Sequence, residues 1–548
     1  MNTEKITISK MKIKRNVLYL RINIVSISKQ IRRLLLVSRK KDCTFIEGNL
    51  IKKTSKYIYF SLPLEESILK YIYYDFYMEI LDGLGCAKLI KVEKKSSVQI
   101  YIVNIFFKKQ SYIFFNPMPN QYIISLYFSK GGSLSLQIRE RDKYDSLAYE
   151  IKKIIACLLY PFMHWFYKDS KLTYEKFSNY ARDNSYYYFC YCKEINVNDK
   201  LYFIINKDSP DFYKLKKYKN YVVKFMSVKH FLLIFSAKYL VASEAKGHAY
   251  GWRHNQGLVR YVLNRKTFIF LQHGVLGLKK VDNTFFANNR FNKATLFVAS
   301  SELERCIIRD ELGYSEKEII TTGLCRWDSK KDLKKENKIF IMPTWRVELE
   351  NMGQEDFLET EFYKEYSKLL CSEKLKIILE RYGYFLHFMV HPKLLKFENY
   401  FPSNEYIYLR THNESTIEDE LKTSKLIITD YSSIMWDSFV YGIPVFLFQF
   451  DQKSYLRNQG SYFDFETNFS DIIITNHELL VEKIHNLLSR NDLGAQQKNL
   501  DNYRSKFFLY NDKKNCFRVN SAIKKWEDSF EFPCLIKKGI KKLKVLWR

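Results

Sequence analysis

"LIITDYSSIMWDSFVYGIPVFLF" (residues 426–448) sets an apolar run, an acid, a tyrosine and two serines ahead of a second apolar run, Gly442, Pro444 and a third apolar run. The order reads as a strand to Thr429, a turn, a helix from about Ser433 to Tyr441 closed by Gly442, and a new strand entered through Pro444. Strand, helix and strand in immediate succession make a βαβ unit, whose strands pair in parallel. Ser432 or Asp430 fits the N-cap of the helix. The N–H groups of a helix start, backed by serine hydroxyls, equally suit a phosphate.

The pattern extends in both directions. From residue 186 onward, apolar runs of five to seven residues alternate with helical stretches: "LYFIIN", "YLVASE", "TFIFLQ", "LFVASS", "KIFIMPT", "FLHFMV", "KLIITD" and "PVFLFQF". Strands covered on both faces read this way. Their number exceeds one ordinary sheet, which predicts two doubly wound α/β domains in tandem; there is no internal sequence repeat.

Residues 1 to about 130 differ. They read as short strands such as "YIYFSLP" and "VQIYIVNIFF", with one helical segment near "LEESILKYIYYDFYMEILDGL", an α+β arrangement without a chemical motif. "SKGGSLSLQ" (129–137) reads as a linker, and a basic, apolar helix follows from about Asp145 to Tyr167.

At 548 residues, two or three domains are expected, and 47% hydrophobic content supplies their cores. Lys and Arg number 89 against 60 Asp and Glu, a formal charge of +29 that attracts polyanions or anionic membranes. The N-terminus is broken by charges every few residues and lacks a signal-peptide core, so a cytoplasmic protein is expected. "IIACLLYPFMHWFY" (154–167) is too short to span a bilayer, so no transmembrane helix is predicted. The ten cysteines have no zinc-ligand spacing and read as reduced thiols.

In open α/β sheets ligands bind beyond the carboxyl ends of the strands. Four runs end in chemically capable residues: His273-Gly274, Thr344-Trp345-Arg346, His391-Pro392-Lys393 and Asp430-Tyr431-Ser432-Ser433. His273 suits proton removal from a hydroxyl, Arg346 a bidentate phosphate contact, and His391 donation to a phosphate oxygen. His387 and His391, four apart on a strand, are too distant to share a metal. A P-loop, a G-x-G-x-x-G fingerprint, a nucleophile elbow and a zinc box are all missing.

The ordered motifs "FLQHGVLGLKK", "TTGLCRWDSK", "IFIMPTWR", "VHPKLL", "LIITDYSSIMWDSFVYGIPVFLFQFD" and "GSYFDF" closely resemble the CDP-glycerol glycerophosphotransferase family of teichoic acid and capsule enzymes, over roughly residues 175 to 515. The resemblance implies a GT-B fold, two Rossmann-like lobes facing a cleft. It implies transfer of glycerol phosphate or a related alditol phosphate from CDP-glycerol or CDP-ribitol to a lipid-linked anionic polymer, releasing CMP.

Carried over residue by residue, the resemblance makes His273 and His391 the catalytic histidines. Thr429, Asp430, Ser432 and Ser433 become the donor phosphate site; Thr344 and Arg346 are expected to join it from their own strand end, with Gly274, Lys279 and Asp437 as further candidates. The expected division is an accessory domain (1–135), an acceptor-side, membrane-proximal lobe (145–285), a donor lobe (286–515) and a basic tail (516–548). No cofactor is required, no metal ligands are assigned, and diphosphate chemistry leaves room for a divalent metal. The partners implied are the donor, the polymer and the cytoplasmic face of the membrane, not nucleic acid. "LIKKGIKKLKVLWR" (535–548) reads as an interfacial helix. Where many members read H-G-T-P-L-K, this chain follows His273-Gly274 with Val275, Leu276, Gly277, Leu278 and Lys279. The rival enzymatic reading is a GT-B glycosyltransferase using a nucleotide sugar.

Overall fold

A computed structural model describes residues 6–529 apart from 15, 25–29, 40–44, 66–67, 69–71, 82–84, 94–108, 115–120, 130–131, 253–256, 330–332, 350–351, 412–413 and 491–492. The run "VQIYIVNIFF" and the tail 535–548 lie outside the described residues. The chain forms two compact units. One comprises Met1–Lys168, Lys224–Ser236 and Tyr250–Lys266; the other comprises Asp169–Val223, Ala237–Ala249 and Thr267–Arg548.

The first unit carries a ten-stranded, mostly antiparallel sheet. Gln30–Ser38 pairs with both Phe45–Lys53 and Tyr73–Leu81, which closes seven of the strands into a barrel-like ring. The helix expected near 64–84 is largely this strand Tyr73–Leu81. Its residues alternate in and out, with Tyr74, Phe76, Met78 and Ile80 buried, and a period of two outweighs local helix preference. "SKGGSLSLQ" is no linker but a hairpin: Ser133 O accepts from Ser129 N, and Leu134–Glu140 returns along Gln121–Phe128. The helix Leu147–Tyr167 follows as expected.

The second unit holds two parallel sheets. One runs in the order Val222–Lys224, Leu201–Ile205, Lys171–Thr173, Tyr239–Ala242, Thr267–Phe270, Leu296–Ala299 and Ile319–Thr321. The other runs Ile407–Leu409, Phe385–Phe388, Lys338–Ile341, Leu426–Thr429, Val445–Phe448 and Ile473–Ile474. Counted from the first strand of each, both orders begin 3-2-1-4-5-6, the dinucleotide-binding arrangement in which the winding reverses between strands 1 and 4. All eight apolar runs read from sequence are strands of these sheets. The first sheet runs on to Thr321, past the 285/286 division drawn from sequence. An apolar cluster that includes Phe189, Phe203, Leu324, Trp327, Ile427, Trp436 and Leu447 is shared by the two.

Candidate active site

The switch point of the second sheet carries one half of the candidate site, and the end of strand 5 of the first sheet carries the other. In the second sheet, strand 1 ends in Met342-Pro343-Thr344-Trp345-Arg346 and strand 4 in Asp430-Tyr431-Ser432-Ser433. Helix Ile434–Tyr441 follows, closed by Gly442 in the left-handed conformation at φ 71°. Neither expected cap holds in full. Ser433 is the N-cap residue and makes no side-chain cap bond, while Ile434 N donates weakly to Ser432 Oγ at 3.4 Å. No hydrogen bond to Ser433 Oγ is formed among the described residues, which leaves its hydroxyl for other work.

Asp430 is fully buried and holds the turn. Its Oδ1 accepts from Thr344 N at 2.8 Å and Tyr431 N at 2.6 Å, and its Oδ2 lies 2.9 Å from Arg346 Nη1. Arg346, 4% exposed, also forks onto Asp451 at 2.7 and 3.1 Å, donates to Thr344 O, and sits among the rings of Tyr431, Tyr455 and Phe362. The two carboxylates hold its guanidinium well above the usual range against the cost of burial. Direct phosphate contact by Arg346 or Asp430, expected from sequence, therefore meets groups already spent on each other. Thr429 is likewise occupied, donating to Met342 O. Among the described residues Thr344 Oγ1 is buried without a hydrogen-bond partner.

In the first sheet, strand 5 ends in Leu271-Gln272-His273-Gly274. Gln272 has φ 61°, a conformation costly for a residue with a Cβ. Its surroundings enforce it: the side-chain amide donates to Val298 O and to Glu304 Oε1 at 3.1 Å, and its carbonyl accepts from Asn184 Nδ2 at 2.7 Å. The buried Glu304 also takes Leu276 N at 2.6 Å, fixing the turn on its far side. His273 emerges exposed, with Nδ1 3.3 Å from Ser243 O, which belongs to the end of strand 4. A carbonyl can only accept, so the ring proton is assigned to Nδ1 and Nε2 carries the lone pair.

The two strand ends meet. A Cβ built on Gly274 would lie 2.7 Å from Ser433 Oγ, so the histidine turn and the serine helix start are in direct contact. Arg326, missed by the sequence reading although it lies inside "TTGLCRWDSK", ties them together. Its Nε and Nη2 each donate to Asp437 at 2.9 Å, one turn into the serine helix, while Nη1 donates to Asp183 and to His273 O, both at 2.9 Å. Trp327 Nε1 adds a 2.7 Å bond to Asp437. Asp437 thus accepts from both Arg326 and Trp327 and anchors this network.

Lys279 and His391, the other residues expected at the site, have their own settings. Half-buried Lys279 is held below the ordinary lysine range, first by burial, then by Lys393 and Lys176, with Asp430 opposing. His391 caps the helical turn Pro392–Tyr400, its Nδ1 accepting from Lys393 N at 3.2 Å, which assigns its ring proton to Nε2 as a donor. Lys393 Nζ lies 3.5 Å over the Trp345 ring. Among the described residues no cluster of three or more His, Cys, Asp or Glu forms a metal site.

The sequence profile described as CDP-Glycerol:Poly(glycerophosphate) glycerophosphotransferase matches residues 159–525, two thirds of the chain. The chain belongs to this glycerophosphotransferase family. Among the curated members it resembles, the minor teichoic acid biosynthesis protein GgaB of Bacillus subtilis (strain 168) is 27% identical over 462 residues, 80% of this chain and 49% of that one. The teichoic acid ribitol-phosphate polymerase TarK of Staphylococcus aureus (strain NCTC 8325 / PS 47) is 21% identical over 204 residues, 34% of this chain and 38% of its own. This glycerophosphotransferase family member therefore spans about half the length of GgaB. Among solved structures, that of the wall teichoic acid polymerase TagF aligns with 71% of this chain and 100% of its own at 17% identity and a TM-score of 0.46.

Proposed function

We propose that the two sheets form a GT-B transferase that moves glycerol phosphate, or a related alditol phosphate, from a CDP-activated donor to a hydroxyl of a lipid-linked surface polymer. The observation that carries this reading is the Gly274–Ser433 contact. It brings the turn that carries His273, whose Nε2 is unprotonated, up against a helix start where the Ser433 hydroxyl is unspent, and both lie at strand carboxyl ends.

In this reading the acceptor hydroxyl gives its proton to His273 Nε2 and attacks the alditol-bearing phosphorus. The new P–O bond forms as the bond to CMP breaks, and CMP leaves with the electron pair. Ser432 and Ser433, the His391 Nε2 proton and the Lys279 ammonium stabilise charge growing on the phosphate oxygens. Arg346, Asp430, Asp451 and Thr429 shape the turn that presents the serines. The first parallel sheet, with its strands from Lys171 to Thr321, then serves the acceptor, and the second, from Lys338 to Ile474, the donor.

Peripheral attachment to the cytoplasmic face of the membrane is supported by helix Leu147–Tyr167. Its exposed face carries Leu147, Ile151, Ile154, Leu158, Phe162 and Trp165, with Leu158, Phe162 and Trp165 69 to 75% exposed. Solvent-facing helix stripes are normally polar, and this one fits an interfacial helix. Among the described residues no helix is long and apolar enough to cross a membrane. Incubation with CDP-glycerol, CDP-ribitol and UDP-sugars in turn tests the donor class. CMP release from a CDP-alditol supports the proposal, and UDP release without CMP transfers it to the glycosyltransferase reading.

A further inference from the structure

We infer that one outer face of the N-terminal barrel-like sheet binds a polyanionic chain, and that its occupant is the poly(alditol phosphate) acceptor; the choice of occupant rests on the function proposed above. Three neighbouring strands, Ile6–Lys14, Val17–Asn23 and Tyr57–Pro63, contain no Asp or Glu. Their alternate residues Leu18, Leu20, Ile22, Ile58, Phe60 and Leu62 point into the core, so the others share the outside.

The strand register sorts the outward residues into rows. Lys10 pairs with Arg21, Arg21 with Tyr59, and Tyr59 with Lys52 of Phe45–Lys53, four residues on four adjacent strands. The next row begins with Lys12 opposite Tyr19 and Tyr19 opposite Ser61. Lys10, Lys12, Tyr19 and Lys52 are exposed. Like charges at this spacing repel, and a bound anionic chain relieves that repulsion while releasing its counterions.

The state of the tyrosines favours a polyol phosphate over a nucleic acid. Single-stranded nucleic acids are held by stacking bases on open aromatic faces. Here Arg21 lies 4.8 Å and Lys56 5.6 Å from the Tyr57 ring, and Lys52 lies 5.5 Å from Tyr59. The Tyr57 and Tyr59 rings are engaged by cations, which leaves exposed Tyr19 as a single open ring where stacked bases would need several. A chain recognised through its phosphates, with no bases to stack, matches such a face.

The test uses the full chain and purified poly(glycerol phosphate), with binding measured without donor and transfer measured to a single-unit acceptor. The K10E/K12E/R21E/K52E variant is expected to bind the polymer at least about 10-fold more weakly and to lower the salt dependence, with transfer to the single-unit acceptor unchanged. K10Q/K12Q/R21Q/K52Q, which adds no repulsion, should fall between the two, and thermal melts of both establish that they fold. Unchanged polymer affinity in both folded variants overturns the assignment. So does tighter binding of an oligonucleotide of equal charge than of the polymer. If the variants lose the polymer although the parent turns over no CDP-alditol, the surface stands and the proposed reaction falls.

Discussion

Gly274 and Ser433 touch so closely that a methyl on the glycine would lie 2.7 Å from the serine Oγ. The Gly274→Ala variant therefore pushes the histidine turn away from the serine helix, and a misplacement of this size is expected to lower transfer about 10- to 100-fold. Adding Ser433→Gly removes the obstructing atoms and should recover part of the geometry while giving up a phosphate contact. CMP release by the single and double variants measures this; full activity in Gly274→Ala would mean that the two turns are not held together during reaction.

Arg326 positions both halves of the site without facing the reacting atoms. Arg326→Gln is expected to lower kcat by at least about 10-fold with a smaller change in donor KM, because donor groups remain while their alignment is lost. Arg326→Lys should not rescue, since an ammonium cannot reproduce the forked pair with Asp437. Asp437→Asn combined with Arg326→Gln should cost little more than either change alone, because both break one network. Additive losses in kcat would separate the two residues.

The Arg346 triad makes a stability prediction. Asp430→Asn leaves a 4%-exposed guanidinium with one carboxylate instead of two and should destabilise the fold by about 3 kcal/mol, within the range for breaking buried pairs. Denaturant midpoints check it. A change below about 0.5 kcal/mol, typical of surface substitutions, would show that Asp430 is not the partner that matters.

Lys279 gives a pH dependence. Its pKa is lowered, so as pH rises it loses its charge before an ordinary lysine would, and donor capture that depends on that charge declines with it. The alkaline limb should appear in kcat/KM, which reports the free enzyme, and shrink in kcat, because bound phosphate restores the proton. Lys279→Arg should move the limb upward out of the measurable range. An identical limb in that variant assigns it to another group.

The parallel sheets were legible because buried parallel strands are apolar throughout, and all eight runs picked from residue 186 onward are strands. Helix Ile434–Tyr441 was legible through its Gly442 close. The strand Tyr73–Leu81 was misread because its large side chains, taken singly, suit either period, and only pairing to neighbours on both edges decides. At the site, strand ends revealed where His273, His391 and the serines stand. They could not reveal that Arg346 is consumed by Asp430 and Asp451, or that Arg326 joins His273 to Asp437, since these partners lie 53 to 111 residues apart.

The most direct measurement compares CDP-glycerol binding and acceptor-dependent CMP release in the parent, His273→Ala and Ser432→Ala/Ser433→Ala. The proposed roles predict that His273→Ala binds donor as the parent does but releases no CMP above background, while the serine double variant binds donor more weakly. Parent-level CMP release by His273→Ala would contradict the central assignment.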